Sequence, residues 1–321
     1  MHTTKLKISL LIAASVSGAI AAFPGAVLAV DMRVVPVSES LKSPKSSPYS
    51  ISDLSKHGMH FEALGEYERN KSKGLSLTDL TGAARSAWAL NLVDKARTIW
   101  DTALARHDFG GTERAKALLA RSILELQEGN FEKSRAFAEK GSALLEEPSE
   151  FRAQFWMLIG ETLRAQGVKS QAITFYEKAT QEGSEHSRAE ALFLLAESQR
   201  DLGMHQKARH SYTSIPISSN YAAKALKGLV EIDYSDRDYG GVLTWIEEGF
   251  KNHAEEFNEP RLMYLHVTAL LKLERIEDAQ KVLHKLGTNF SEEEQWFEIA
   301  KSAVEMAMLN SQEKGNKARD E

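Results

Sequence analysis

The sequence contains no cysteine. Disulfides, thiol catalysis and lipid attachment through an N-terminal cysteine are therefore excluded, because each needs a sulfur the chain does not carry. Proline is scarce and unevenly spread. Of the seven, Pro24, Pro36, Pro44 and Pro48 lie in the first 50 residues, and only Pro148, Pro216 and Pro260 lie beyond them. A body so poor in proline can hold long helices, with the few prolines confined to their ends. Positive charge is not in excess either. The formal net charge is -5, and removal of residues 1–29, which carry Lys5 and Lys7 as their only charges, leaves about -7, so there is no electrostatic case for nucleic acid. No phosphate-binding glycine loop and no glycine-flanked nucleophilic serine occurs.

Long apolar runs are also few. From Ile8 to Val30 the chain is uncharged for 23 residues, preceded by Lys5 and Lys7 and ending in the small residues Val27, Leu28 and Ala29. Residues 1–29 read as a signal peptide, cleaved on export, and the bacterial character of that pattern points to the periplasm or to secretion. The length would also suffice for an uncleaved membrane anchor. Its alanine, glycine, serine and Pro24 make it a poor permanent span, so no stable membrane insertion is expected after cleavage. Residues 30–50, with three prolines and six serines from Asp31 to Ser50, read as a flexible linker.

The body, residues 51–310, is organised around AQFWMLIGETLRAQGVKSQAITFYEKATQEG, Ala153 to Gly183. Trp156, Ile159 and Leu163 recur at helical spacing with Gly160 between them. After a break at Gly167, Ala172, Tyr176 and Ala179 share one face of a second helix. Two short amphipathic helices cannot hide their apolar faces alone, so such a unit comes in stacks. The pattern slides along the chain with anchors at Ala63, Ala96, Ser134, Ala172, Ala208, Val242 and Ala279, a near-constant step. Large residues sixteen positions earlier (Leu80, Leu118, Trp156, Leu192, Leu226, Met263) and small ones twelve earlier (Ala84, Ser122, Gly160, Ala196) mark the first helices. Val230 and Val267 break the small-residue rule, which predicts more open packing in the last two hairpins. Ser291 to Glu294 looks like a capped start of a final helix running to about Asn310, with Trp296, Phe297, Ala300, Val304 and Met308 on its apolar face. Residues 311–321 are polar and expected to be a disordered tail.

The Ala153–Gly183 stretch resembles the tetratricopeptide repeat. That resemblance implies an all-α, right-handed α-solenoid of about six to seven helical hairpins with a C-terminal capping helix. It also implies a protein or peptide partner held in a concave groove by first-helix positions turned away from the core. Those positions are Arg85 and Trp88; Met157, Glu161 and Arg164; Phe193, Glu197 and Arg200; Lys227, Glu231 and Tyr234; and Tyr264 with Thr268. Glu161 with Arg164 and Glu197 with Arg200 repeat one charge pair in adjacent hairpins. They form either a ladder suited to an extended segment or simple intrahelical ion pairs worth about 0.3 kcal/mol each. The glutamates at these positions speak against the terminal-carboxylate grip of the family's chaperone-binding members. Pairing of two copies through an uncapped end is a further expectation.

No catalytic, cofactor-binding or metal-binding residue is assigned. Glu197 and Ser198 resemble the catalytic glutamate and serine of lytic transglycosylases, but the match is two residues wide. A cell-wall lytic enzyme or its activator is thus the alternative to a non-enzymatic scaffold in envelope assembly or regulation, serving the cell wall, outer membrane, a pilus or secretion system, or a flagellar motor. Asp233, Asp236 and Asp238 lack the spacing and closing glutamate of a calcium loop and read as an acidic turn. His57 with His60, and His205 with His210, lack the geometry of a zinc site.

Overall fold

The computed structural model describes residues 49–107, 110–290 and 295–320. Residues 1–48, which hold the segment read above as a signal peptide and nearly all of that read as a linker, and Ser291 to Glu294 lie outside the described residues. Among the described residues there are sixteen helices and no strand. They fall into two compact units dividing between Ala191 and Leu192.

In the first unit, α1 (Ile51–Lys56) pairs with α2 (His60–Asn70), α3 (Leu77–Ala89) with α4 (Val93–Leu104), α5 (Gly111–Gln127) with α6 (Phe131–Ser142), and α7 (Glu150–Ala165) with α8 (Lys169–Thr180). Helix α9 (Glu185–Asp201) runs from the first unit into the second. There it is followed by α10 (His205–Thr213), α11 (Ala222–Ser235), α12 (Tyr239–Asn252), the single turn α13 (Ala254–Phe257), α14 (Pro260–Lys272), α15 (Ile276–Asn289) and α16 (Gln295–Asp320). Each unit is an α-solenoid segment built of successive helix pairs.

The period expected from sequence is built into the turns. The residue five before each anchor, namely Gly58, Asn91, Gly129, Gly167, Gly203, Arg237 and Glu274, has φ between 59° and 83°. The amide one residue later reaches back five positions to the preceding helix: Met59 to Leu54 O, Leu92 to Ala87 O, Asn130 to Glu125 O, Val168 to Leu163 O, Met204 to Gln199 O, Asp238 to Asp233 O and Arg275 to Leu270 O, all at 2.8–2.9 Å. This Schellman closure satisfies carbonyls that would otherwise be orphaned at the helix end, and the left-handed residue turns the chain back on itself. Four helix starts are fixed by serine caps. The Ser50, Ser76, Ser149 and Ser184 hydroxyls accept from the amides of Asp53, Asp79, Arg152 and Ser187, and Pro260 opens α14 where no amide is needed.

All seven anchors are completely buried. Small side chains there let the two helices of a hairpin close on each other, and aromatic rings fill the remaining space. Trp100 and Tyr176 are fully buried and Tyr212 nearly so, each contributing on the order of 2–3 kcal/mol from apolar burial. Ser134 is an anchor with a hydroxyl, and the cost of burying it is offset locally. Its carbonyl accepts from Ser122 Oγ at 2.6 Å, and its own Oγ lies 3.1 Å from Ser122 Oγ and 3.3 Å from Thr162 Oγ1.

Val230 and Val267, at the positions that small residues hold in the earlier hairpins, are completely buried. Two residues before Val230, Gly228 packs on the preceding hairpin, where a Cβ would sit 2.4 Å from the Tyr212 ring. Helix α16 continues to Asp320 instead of ending near Asn310; six of its last ten residues, Gln312, Glu313, Lys314, Lys317, Ala318 and Arg319, are good helix formers and none is proline.

Candidate functional site

The predicted interface positions divide between the two units. In the first, α3 carries Arg85 and Trp88, both half-buried. The Trp88 ring meets Trp100 edge to face, with centroids 5.7 Å apart. On α7, Met157 and Glu161 are only 4% and 5% exposed, so they offer a partner almost no surface. Glu161 is committed inside its own hairpin. It accepts from the Tyr176 hydroxyl of α8 at 2.6 Å and from Arg164 at 3.0 and 3.2 Å. Burial pushes the Tyr176 phenol well above its usual range and the neighbouring carboxylate adds to it. Burial alone would lower Arg164, but Glu161 more than reverses this and leaves its pKa raised. The Glu161–Arg164 pair thus follows the intrahelical alternative, as a partly buried clamp rather than a solvated pair.

In the second unit the carried-over residues come together. Arg200 donates to Glu197 of its own helix at 2.8 Å and to Glu231 of α11 at 2.6 Å, and Arg261 of α14 donates to the other oxygen of Glu231 at 2.6 Å. A chain of alternating charge therefore crosses three consecutive first helices. Its members are partly exposed, with side chains of Arg200, Glu231 and Arg261 at 25%, 31% and 54%. Lys227 reaches Glu259 at 2.5 Å. The same first helices carry aromatic side chains. Phe193 packs against Tyr212 and Tyr221 at 6.2 and 5.5 Å, Tyr234 against Tyr239 at 6.1 Å, and Tyr264 against Trp296 at 5.0 Å. Burial, then Tyr264, pushes the Tyr234 phenol up. Thr268 turns its hydroxyl back to the Tyr264 carbonyl at 2.9 Å.

Glu197 also accepts from the Tyr212 hydroxyl, and Ser198 is completely buried. Both carboxylate oxygens of Glu197 are thus held within the hairpin. Asp233 is buried rather than part of an open acidic turn. It accepts from Arg209 at 2.8 Å and from the Trp245 indole at 2.7 Å, binding α10, α11 and α12 together. Asp236 takes Arg209 and His205 at 2.7 and 2.6 Å. Burial raises the Asp236 carboxyl, and these two partners outweigh it and hold it below the usual carboxylate range. Nothing in the residue spacing points to the Arg209 and Trp245 roles. A buried acid needs partners, but which residues supply them depends on packing between hairpins. Among the described residues no group of three or more histidine or acidic side chains is placed to hold a metal ion, and no helix is long and apolar enough to cross a membrane.

Helix pairs closed by a left-handed turn, each with a small buried anchor in its second helix, define a helical-repeat protein of the α-solenoid class. Tetratricopeptide repeat profiles match residues 81–143, 153–182 and 190–216, and the chain is a tetratricopeptide repeat protein. No curated protein matches it. Among solved structures, it is similar to the C-terminal part of a TPR repeat-containing protein from Cytophaga hutchinsonii, with a TM-score of 0.64 and 12% identity over 77% of this chain and 97% of that one. It is also similar to the apo form of RapI (TM-score 0.57, 12% identity, 82% and 84% covered) and to pilF of Pseudomonas aeruginosa (TM-score 0.50, 14% identity, 64% and 93% covered). At such identities the likeness is one of fold. The repeat architecture is that of a protein–protein interaction scaffold.

Proposed function

We infer that the protein is an exported, non-enzymatic scaffold that holds a protein or peptide partner during assembly or regulation of a cell-envelope complex. The observation that carries the partner reading is the first-helix face of the second unit, where Glu197, Arg200, Glu231 and Arg261 alternate in sign beside Phe193, Tyr234 and Tyr264. Fixed charges set the register of an extended segment, and half-exposed aromatics supply the contact area. The envelope reading is supported by the basic start, uncharged run and small residues of positions 1–29.

A photo-crosslinking residue placed at Arg261 or Tyr264, with the protein expressed in its native envelope, should give discrete adducts. The same residue at Lys281, 72% exposed on α15, should give none. Equal labelling at all three positions, or at Lys281 alone, would remove this face from the reading. N-terminal sequencing of the exported protein should begin near Val30, and an intact Met1 would replace the exported scaffold with an anchored one.

A further inference from the structure

The first unit holds a half-open cavity of about 620 Å³ between α1, α3, α4, α5, α7 and the start of α9. Five side-chain polar atoms among the described residues are buried without a hydrogen-bond partner, and three of them belong to residues lining this cavity: Arg85 Nε, Trp100 Nε1 and Gln154 Oε1. Trp100 is completely buried. Leaving such atoms unpaired is costly, more so for a charged group, so their concentration at one place needs a reason.

The charges of the wall sharpen the point. Lys116 is paired with Glu113 at 2.7 Å and lies over the Phe151 ring. Glu150 accepts from the Ser184 amide at 2.8 Å, from the Ser187 hydroxyl, and from Gln154 Nε2 at 3.4 Å. Arg85 alone among these has no acid within ion-pair distance, and burial with nothing to offset it lowers its pKa. Because Gln154 turns its amide nitrogen to Glu150, its oxygen is the face left for a donor. The lining residues therefore include a guanidinium and an indole N–H without acceptors, a carbonyl without a donor next to the Glu150 carboxylate, and the Phe151 ring. The complement is a zwitterion with an apolar body.

We propose that this cavity binds a free aromatic α-amino acid, its carboxylate on Arg85 and Trp100, its ammonium on Gln154 beside Glu150, and its ring against Phe151. Such a site is independent of the partner face, which lies on other residues, so either can fail without the other. It would give the scaffold a small-molecule input.

The test is isothermal titration of the full exported chain with L-phenylalanine, N-acetyl-L-phenylalanine and L-phenylalaninamide. Phenylalanine should bind, and each blocked derivative should bind about tenfold more weakly or worse, having lost one charged contact. Arg85→Met and Trp100→Phe should each lose about tenfold or more in affinity. Without ligand, Arg85→Met should melt no lower than the parent, because an unpartnered buried guanidinium costs stability. No heat with phenylalanine, equal binding of the blocked derivatives, or unchanged affinity in Trp100→Phe would overturn the proposal. N-acetylphenylalanine binding more tightly than phenylalanine would overturn it in favour of a peptide C-terminus.

Discussion

Gly160 of α7 and Tyr176 of α8 share one space: a Cβ on the glycine would lie 2.5 Å from Tyr176 Cε1 and within 3 Å of two further ring carbons. Both residues are buried, Tyr176 completely, so the ring has nowhere to retreat. Gly160→Ala should therefore destabilise by about 1–3 kcal/mol despite alanine's better helix propensity. Gly65 of α2 is the control, since a Cβ there meets only the flexible end of Arg69 at 3.6 Å. Gly65→Ala should stabilise by up to about 1 kcal/mol. Urea unfolding of the two variants should move in opposite directions, and a shared direction would mean that ring contact does not govern the hairpin.

The turns make a second prediction. Arg237 adopts φ 62° where four other hairpins use glycine. A Cβ in this region costs about 1–2 kcal/mol, and nothing in the turn requires the arginine side chain. Arg237→Gly should raise stability by about 1 kcal/mol, while Gly167→Ala, at φ 83°, should lower it by a similar amount. Asn91→Gly should change little, because asparagine already tolerates the left-handed region. Thermal melts of the three variants check the order.

These two cases show where the sequence was legible. Anchors and turn residues obey a local rule: only a small side chain fits where two helix axes approach, and the chain must reverse five residues earlier. Such a rule repeats with the fold and can be read from Ala63 to Ala279. Even the last two turns keep the register, although Arg237 and Glu274 hide it from a search for glycine. The candidate face was only partly legible. Spacing places Met157 and Glu161 in the same column as Phe193 and Glu197, yet Met157 and Glu161 are buried whereas Phe193 and Glu197 keep some exposure. Which column member is covered depends on the side chains of the next hairpin, and that is a tertiary fact. Trp100 and Gln154 were missed for the same reason. Their polar atoms are notable only because nothing pairs with them.

Two charge networks that look alike in sequence should differ in weight. Tyr176→Phe removes a 2.6 Å donor from Glu161, a carboxylate only 5% exposed, and should cost about 1–3 kcal/mol. Arg200→Met breaks two contacts to Glu197 and Glu231, but all three side chains are at least a quarter exposed. Its cost should be under about 1 kcal/mol. Comparable losses in the two variants would show that the second network is as structural as the first, and would weaken its use as a partner surface. The same contrast explains why Arg164 is unsuited to a test of partner capture: its replacement disturbs the hairpin.

His266 of α14 supplies a pH dependence whose sign is fixed. Burial lowers its pKa from the ordinary 6.5 to about 4; Arg275 and Lys285 act in the same direction and Asp278 against it. The folded protein therefore keeps the imidazole neutral between about pH 4 and 6.5, while the unfolded chain takes up a proton over that window. More protons bound in the unfolded state means that stability rises with pH, so it must fall as pH drops from 6.5 and level off near 4. At pH 5 the second unit should have lost about 2 kcal/mol from this residue relative to pH 7. His266→Leu removes the titration and keeps an apolar side chain in the same half-buried place. The fall in melting temperature from pH 7 to pH 5 should shrink in this variant. An unchanged fall would mean that His266 is protonated in the folded protein and that its surroundings admit charge. A second group shares the acid side of the profile. Asp236, held low by His205 and Arg209 against a partial loss of solvent, adds stability above the ordinary carboxylate range that is lost as pH falls through its depressed value. The two contributions therefore separate along the pH axis, the histidine between 6.5 and 4 and the aspartate below it.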